Sequence, residues 1–215
     1  KQGYSKQMEY LQELVDSYEP SEATKELVRS TRVALLAGIS GAGKDTVKRS
    51  LMGKNPIFHD IVSHTTRQPR QNNNTLEVDG LDYHFIDTET AKQMLESQGF
   101  VETKFVHGTI YGTSVAEIEK SKREGRVAIT DVDVQGVSEF KQLAPEAISI
   151  FIVPPSYEVW LDRLKSRYTS GDEFLAEWPK RRQSSISELK HALEVPYYHF
   201  IINDELERAV RVSEE

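Results

Sequence analysis

The most constraining feature of this sequence is a glycine-rich run that follows an apolar segment and precedes a helical one. The apolar segment covers residues 33–37, the run reads Gly-Ile-Ser-Gly-Ala-Gly-Lys over 38–44, and the helical pattern covers 46–52. A buried strand, a glycine-rich turn and a helix in this order are the context of a phosphate-binding loop. Glycines let backbone N–H groups converge on an anion, and the helix N-terminus adds positive partial charge. The sequence therefore predicts a site for a nucleoside triphosphate.

The predicted triphosphate ligands are the loop and the first helical residues: Gly38, Ile39, Ser40, Gly41, Ala42, Gly43, Lys44, Asp45 and Thr46. Lys44 can reach the terminal phosphates. The position after this lysine is usually Ser or Thr, which binds magnesium, but here it is Asp45. A carboxylate can ligate magnesium, and a negative residue is also favoured at a helix N-terminus, so both interpretations of Asp45 stay open.

Length and composition limit the classes of protein to which this chain can belong. Its 215 residues suffice for one α/β domain with an insert or lid, and 38% apolar with 28% charged residues is typical of a globular protein. The net charge of −7 argues against a nucleic acid polymer as the main partner. The sequence has no cysteine, no membrane-length apolar run and no opening signal segment, so we expect a cytoplasmic protein that does not engage a membrane.

The order of patterns predicts a mostly parallel sheet covered by helices, the architecture of a P-loop NTPase-type α/β fold. Four apolar strands alternate with helices, and β patterns at 80–87 and 100–107, separated by a helix at 88–98, indicate a small inserted α/β lobe. Residues 1–30 predict two helices separated at Pro20, for which packing against the core is favoured over binding a partner. A polar stretch at 168–179 predicts a connection between a helix at about 157–167 and another that begins near Lys180.

Several motifs beyond the glycine-rich run carry groups that can bind phosphate. Arg67 and Arg70 lie three residues apart after a predicted strand, a spacing suited to a bidentate grip on phosphate. Tyr83 and Tyr111 each offer a hydroxyl group, although tyrosines in hairpins are commonly only packed. Asp131 follows an apolar strand at the end where open α/β sheets bind ligands.

Six motifs in order resemble those of guanylate kinases, from about residue 33 to the C-terminus. They are the glycine-rich loop, Ser-x-Thr-Thr-Arg-x-x-Arg at 63–70, Gly-x-x-Tyr-x-Phe at 80–85, Phe-Val-Glu at 100–102, Tyr-Gly-Thr at 111–113 and Asp-Val-Asp-Val-Gln-Gly at 131–136. The resemblance implies an enzyme that transfers the γ-phosphoryl group of ATP to GMP or dGMP with Mg²⁺. Its small-molecule substrates are then ATP and these nucleotides, and the oligomeric state is left open.

The resemblance implies a role for each residue at a matching position. The GMP-binding set is Ser63, Arg67, Arg70, Tyr83, Glu102, Tyr111, Thr113, Asp131 and Asp133. Within this set Glu102 would accept hydrogen bonds from the guanine N1–H and exocyclic amine, which adenine cannot supply. Asn203 would lie near the ATP adenine, and Asp45 and Asp131 would hold the magnesium, directly or through water.

By the same resemblance, residues 167–182 would form a mobile, helical lid. Lys44, Arg167 and Arg181 would be the catalytic cations on the transferring phosphoryl group. The implied division is an N-terminal helical extension at 1–31, followed by a kinase-like domain at 32–215. That domain would have its core at 32–63, 116–166 and 183–215 and its GMP-binding lobe at 64–115.

This sequence departs from the family pattern at three places, and two alternative functions stay open. The departures are Asp45, a longer loop at 71–79 that contains Asn72, Asn73 and Asn74, and a longer lid. One alternative is a related kinase that phosphorylates a ribose bisphosphate, whose loop also carries Lys-Asp; Glu102 favours a purine instead. The other is a non-catalytic module that binds phosphopeptides; such modules typically lose the phosphate loop, which is present here.

Overall fold

The computed structural model describes residues 2–72 and 75–214 and divides the chain into two compact units. The first unit comprises Lys1–Thr31 and Asp60–Gly125, and the second comprises Arg32–His59 and Arg126–Glu215. Asn73 and Asn74 of the predicted long loop, the terminal residues 1 and 215, and the side chains of 2–5, 7, 72 and 75 lie outside the described part. The predicted division instead set residues 1–31 apart from a lobe at 64–115, and those boundaries stay a prediction.

The helices and strands follow one another along the chain with short connections. The helices are α1 Gln2–Asp16, α2 Glu22–Arg29, α3 Lys44–Lys54, α4 Thr88–Glu96, α5 Val115–Arg123, α6 Val134–Leu143, α7 Tyr157–Lys165, α8 Gly171–Glu194 and α9 Leu206–Glu214. The strands are β1 Val33–Gly38, β2 Phe58–Asp60, β3 His64–Thr65, β4 Gln71–Asn72, β5 Thr75–Leu76, β6 His84–Phe85, β7 Phe100–Val106, β8 Thr109–Ser114, β9 Val127–Asp131, β10 Ile148–Val153 and β11 Tyr198–Ile202.

A five-stranded sheet with the order β11-β10-β1-β9-β2 forms the centre of the second unit. β1 runs parallel to β9 and β10, and β10 runs parallel to β11, which confirms the predicted parallel sheet. Leu35, Leu36 and Ala37 in β1 are fully buried, as expected for a central strand covered on both faces. The carboxyl end of β1 leads into the glycine-rich loop, and the neighbouring β9 ends at Asp131, so parallel pairing brings these two segments to the same edge of the sheet.

The first unit is built on a four-stranded sheet with the order β6-β3-β8-β7. β7 and β8 form an antiparallel hairpin whose tight turn is His107-Gly108. Both turn residues have positive φ, 49° and 80°, which fits the twist of a two-residue hairpin connection. This hairpin carries Glu102, Tyr111 and Thr113, three of the predicted GMP-binding residues.

Helix α1 packs into the hydrophobic core of the first unit. Leu11 and Val15 are buried together with Ala91, Leu95 and Phe100. The spacing of Leu11 and Val15 places both side chains on one face of the helix. The N-terminal segment is therefore part of the core of this unit.

Two expectations about secondary structure were wrong. The stretch 168–179 was predicted as a connection, but α8 begins at Gly171 and continues through Pro179. Ser170 caps the helix by accepting a hydrogen bond from the Glu173 N–H, and the buried Phe174 stacks on Trp178 at 5.4 Å. We attribute the continuation to this capping and packing, which offset the hydrogen bond that proline cannot donate.

The second expectation was a β pattern over 80–87, of which only His84–Phe85 is a strand. Gly80 has a φ of 75°, and the Asp82 carboxylate accepts a hydrogen bond from the Val78 N–H. These local interactions stabilise a turn in place of the first half of the strand. Within the described residues, no helix combines the length and the hydropathy needed to cross a membrane.

Replacing Leu11 by Ala tests whether α1 contributes to the core. The side chain is 3% exposed, so we expect Leu11→Ala to lower the free energy of unfolding by about 2–4 kcal/mol. Chemical denaturation measures this change, and Glu13→Ala on the exposed face of the same helix is the matched control. Equal stability of the two variants would contradict the packing of α1.

Candidate active site

The glycine-rich loop adopts a backbone conformation that glycine allows at little cost. Gly41 and Gly43 have φ of 86° and 89°, in the left-handed region that residues with a Cβ rarely adopt. A Cβ on Gly43 would lie 2.3 Å from the Asn203 side-chain nitrogen. The loop therefore requires glycine at this position for its conformation and for the close approach of a neighbouring side chain.

Side chains from outside the loop hold its carbonyl groups. Asn203 donates from its amide to the Ala42 carbonyl at 2.9 Å, and Arg163 donates to the same oxygen at 3.3 Å. The indole N–H of Trp160 donates to the Ser40 carbonyl at 2.7 Å. These bonds tie two loop carbonyls to the protein, so they favour a fixed loop. The predicted contact of Asn203 with adenine stays a prediction.

Two lysines share one carboxylate beside the loop. Nζ of Lys44 donates to Oδ2 of Asp131 and Nζ of Lys48 donates to Oδ1, both at 2.7 Å. Lys44 also donates to Asp45 at 3.0 Å. Sequence reasoning identified the first lysine and both aspartates but missed Lys48. A spacing of four residues places the two lysines on one face of α3, and this is the signal by which Lys48 could have been found.

Mutual attraction keeps Lys44 and Asp131 charged although both side chains are partly buried. Burial alone would lower the pKa of Lys44, but attraction to Asp131 and Asp45 outweighs it and raises that pKa above its ordinary value. Burial would likewise raise the pKa of Asp131, but the two lysines hold it well below its usual range. At neutral pH both groups are therefore ionised.

The acidic groups of the second unit do not by themselves form a metal-binding cage. Both oxygens of Asp131 accept hydrogen bonds from lysines, and Asp45 accepts one from Lys44. Across residues 2–72 and 75–214 there is no group of three or more His, Asp or Glu side chains that could hold a metal. Mg²⁺ commonly keeps several waters and takes one or two carboxylates together with substrate phosphates, so these residues fit a contact with hydrated Mg²⁺. Direct coordination by Asp131 does not fit its present pairing.

Arg181 on α8 reaches the glycine-rich loop. Its guanidinium donates to the Ser40 hydroxyl at 3.4 Å and to the Tyr168 hydroxyl, and it lies over the Tyr168 ring. Arg167 is exposed just after α7. The structure thus places Arg181 at the loop, while Arg167 is a surface residue.

The predicted phosphate-binding arginine of the first unit is held by a partner that sequence reasoning missed. Arg67 donates from its two terminal nitrogens to the two oxygens of Glu77 at 2.7 and 3.0 Å. This pair is largely buried, at 10% and 11% exposed, and Glu77 also accepts the Arg70 N–H at 2.7 Å. The hydrogen bond from Arg67 holds the pKa of Glu77 below its usual range. Glu77 lies within the long loop at 71–79, so no spacing in the sequence pointed to it.

Aromatic rings complete the surroundings of Arg67. The guanidinium carbon lies 5.2 Å from the centroid of the Tyr83 ring, and Tyr83 meets Tyr111 edge-on at 6.0 Å. The Arg67 Nε is buried and has no hydrogen-bond partner among the described residues. Arg67, Tyr83 and Tyr111 are thus brought together as predicted, and the Nε–H is a donor that Glu77 does not occupy.

Glu102 and Thr113 face each other across the β7–β8 hairpin. Oε1 of Glu102 accepts the backbone N–H of Thr113 at 3.0 Å, and Thr113 is buried. Ser63 precedes β3, where its carbonyl accepts the His84 N–H. Asp133, in the second unit, caps α6 by accepting the Gly136 N–H at 2.7 Å. Its observed contact with that N–H is structural, and its predicted contact with GMP stays a prediction.

Comparisons with known proteins point to one family. A family model described as guanylate kinase matches residues 30–215. The chain is 36% identical to the guanylate kinase of Pseudomonas fluorescens (strain Pf0-1), covering 82% of this chain and 81% of that protein. It is 39% identical to the guanylate kinase of Helicobacter pylori (strain ATCC 700392 / 26695), covering 83% and 82%. The crystal structure of guanylate kinase from Anaplasma phagocytophilum superposes with a TM-score of 0.60 at 26% identity, covering 86% and 83%.

The lysine–aspartate cluster predicts a pH-dependent contribution to stability. The pKa of Asp131 is lower in the folded than in the unfolded chain, where it is about 3.9. Its contribution to the free energy of unfolding is therefore fully present above about pH 4. It is lost as the pH falls through the lower pKa of the folded state. We expect Asp131→Asn to cost about 1 kcal/mol at pH 7, since solvent screens a carboxylate that is 35% exposed, and to cost less near pH 2.

Urea denaturation at these two pH values measures the difference. Asp162→Asn, an exposed substitution on α7, is the matched control and should change stability little at either pH. An equal loss of unfolding free energy for Asp131→Asn at pH 7 and pH 2 would show that the charge of Asp131 does not contribute to stability.

Proposed function

Because the chain belongs to the guanylate kinase family, we propose that it transfers the γ-phosphoryl group of ATP to GMP, giving ADP and GDP, and that it also accepts dGMP. Guanylate kinases are nucleoside monophosphate kinases, and this chain is such an enzyme by family. The observation that carries the specific proposal is Lys44 in an intact glycine-rich loop. A binding module without catalysis would not need this loop, and the family match favours GMP over a ribose bisphosphate.

In this proposal the loop of the second unit binds ATP. Backbone N–H groups at the N-terminus of α3 and the Lys44 ammonium stabilise the β- and γ-phosphates. Lys48 stays on Asp131 when Lys44 turns to a phosphate, so the carboxylate keeps one of its two partners. Asp45 and Asp131 would hold hydrated Mg²⁺, which would supply charge neutralisation on the phosphates.

The first unit binds GMP in this proposal. Arg67, Arg70, Tyr83 and Tyr111 hold the phosphate, and Arg67 exchanges part of its pairing with Glu77 for a phosphate oxygen. The Glu102 carboxylate accepts hydrogen bonds from the guanine N1–H and amine. The main-chain bond from Thr113 supports this role because it fixes the direction of the carboxylate.

The transfer itself needs positioning and positive charge. An oxygen of the GMP phosphate forms a bond to the γ-phosphorus of ATP while the bond from that phosphorus to the bridging oxygen breaks and ADP leaves. The attacking oxygen is already anionic, so no general base is required. Lys44, Arg181 and Arg167 stabilise the charge on the equatorial oxygens, and the position of Arg181 at Ser40 supports its part.

The chemistry of the substrates and of the chain suggests where such an enzyme works. Its substrates are small nucleotides, and the net charge of −7 disfavours a nucleic acid polymer. The absence of cysteine fits a reducing compartment, so we propose a cytoplasmic location.

A panel of acceptor nucleotides tests the substrate assignment. With ATP and Mg²⁺, we expect turnover of GMP and dGMP and little with AMP, UMP or CMP, measured as ADP release in a coupled assay. Glu102→Gln should reduce kcat/KM for GMP about 10- to 100-fold, because a charge-assisted hydrogen bond contributes roughly 1.5–3 kcal/mol. Equal or better turnover of AMP by the unmodified chain would contradict the assignment of Glu102.

Replacing Lys44 by Met tests the role of the loop. We expect at least about a 100-fold loss of kcat, because one catalytic cation on a transferring group contributes on the order of 3 kcal/mol. Lys54→Met, at the exposed end of the same helix, is the matched control and should leave kcat unchanged. Intact turnover in Lys44→Met would show that this lysine does not act on the phosphates.

A further inference from the structure

A tyrosine from the N-terminal segment binds the main chain of the strand that carries Glu102. The hydroxyl of Tyr18 donates to the Phe100 carbonyl and accepts the Phe100 N–H at 3.1 Å. The Tyr18 ring also meets the Phe100 ring edge-on, with centroids 6.5 Å apart. One side chain thus satisfies both main-chain polar groups of a buried residue.

This contact lies at an edge of the sheet that helices α1 and α2 cover. β7 is the last strand in the order β6-β3-β8-β7, so within residues 2–72 and 75–214 one of its edges has no neighbouring strand. Unpaired N–H and C=O groups at such an edge cost free energy when they are buried. At Phe100, Tyr18 supplies the hydrogen bonds that a neighbouring strand would otherwise supply.

The contact also lies at an irregularity of the hairpin. Phe100 pairs with Ser114 and Glu102 pairs with Thr113, so Val101 is an extra residue in β7, as in a β-bulge. Bulges are frequent next to functional sites because they change the direction of a side chain. A Cβ on Gly112 would lie 2.8 Å from the Phe100 ring and 2.9 Å from the Glu102 carbonyl, so this geometry also requires glycine on the opposite strand.

The bulge lies between the Tyr18 contact and Glu102, whose carboxylate binds guanine in the proposed function. Glu102 follows the extra residue, and its Oε1 accepts the Thr113 N–H. If the main chain at Phe100 shifts, the bulge relaxes and this hydrogen bond changes with it. The direction of the carboxylate therefore depends on how firmly Phe100 is held.

We propose that Tyr18 is a positioning residue for guanine recognition: it fixes the bulge in β7 through the main chain of Phe100 and so sets the direction of the Glu102 carboxylate. This proposal rests on the proposed function. It gives the segment before the matched region, which begins at residue 30, a role in substrate specificity.

The surroundings of Tyr18 make it suitable for positioning the main chain of β7. It follows the end of α1, where its N–H donates to the Val15 carbonyl at 3.1 Å, and Val15 belongs to the buried core. Burial raises the pKa of the Tyr18 hydroxyl, and the hydrogen bond to Phe100 only partly opposes this. The hydroxyl therefore keeps its proton at neutral pH and can donate to the carbonyl.

Steady-state kinetics of Tyr18→Phe with GMP and IMP test the proposal. IMP lacks the exocyclic amine, so the ratio of kcat/KM for GMP to that for IMP reports the recognition of that group. We expect KM for GMP to rise about tenfold, the equivalent of one net hydrogen bond, with kcat and KM for ATP nearly unchanged and the ratio reduced. Tyr10→Phe, which removes an exposed hydroxyl from α1, should behave as the unmodified chain does.

Two further comparisons separate positioning from general stability. Leu11→Ala weakens the same core without touching the hydroxyl, and assayed well below its unfolding temperature it should keep the GMP/IMP ratio. In a Glu102→Gln background, Tyr18→Phe should add little to the loss in kcat/KM, because both changes act on one interaction. Three outcomes would each overturn the proposal. They are an unchanged KM for GMP in Tyr18→Phe, an equal change of the GMP/IMP ratio in Leu11→Ala, and additive losses of kcat/KM in the double variant.

Hydrogen exchange on the unmodified chain gives a second measurement that does not depend on a variant. The amides of Phe100 and Thr113 should gain protection together when GMP binds. Protection of one amide without the other would overturn the proposal. If the unmodified chain does not phosphorylate GMP, the proposed function fails and the proposal for Tyr18 fails with it. If it does phosphorylate GMP, the Tyr18 variants and the exchange data test the proposal for Tyr18 alone.

Discussion

The backbone conformation of the glycine-rich loop is the constraint on which the second unit depends. Gly43 lies in the left-handed region, and the Asn203 side chain occupies the space that a Cβ there would need. Asn203 and Arg163 hold the Ala42 carbonyl, and Trp160 holds that of Ser40. Carbonyl oxygens would repel a phosphate, so tying them to the protein favours a loop that presents N–H groups to an anion.

The charges next to the loop are balanced before any nucleotide binds. Two lysines and two aspartates form one cluster in which Asp131 accepts from both Lys44 and Lys48. In the proposed function a triphosphate competes with Asp131 for Lys44, and Lys48 then keeps this partly buried carboxylate paired with a cation. The arrangement would lower the cost of moving Lys44, because a partly buried charge left without a partner is unfavourable.

The sequence predicted the family and the parallel sheet, and both are confirmed. The glycine-rich loop could be recognised because its chemistry depends on residue types at fixed spacing, and the apolar run of β1 because a strand buried on both faces leaves little choice of residue. The assignment of individual site residues to ligands is untested and stays a prediction. The structure brings Lys44 to Asp131 and Arg67 to Tyr83.

The parts that sequence reasoning missed depend on contacts between distant residues. The stretch 168–179 contains a proline and polar residues, and the stacking of Phe174 on Trp178 that accompanies its helix is visible only in three dimensions. Glu77 is ten residues from Arg67, within a loop whose path no local rule specifies. Tyr18 is 82 residues from Phe100, so nothing in either segment marks the pair.

The two tryptophans of the chain have a practical consequence. Trp160 and Trp178 lie 5.5 Å apart, both in the second unit, and Trp160 is bonded to the glycine-rich loop. The first unit contains tyrosine but no tryptophan. The intrinsic fluorescence of tryptophan therefore reports the surroundings of the loop and α8 alone, and loosening of the first unit has to be followed by another spectroscopic signal.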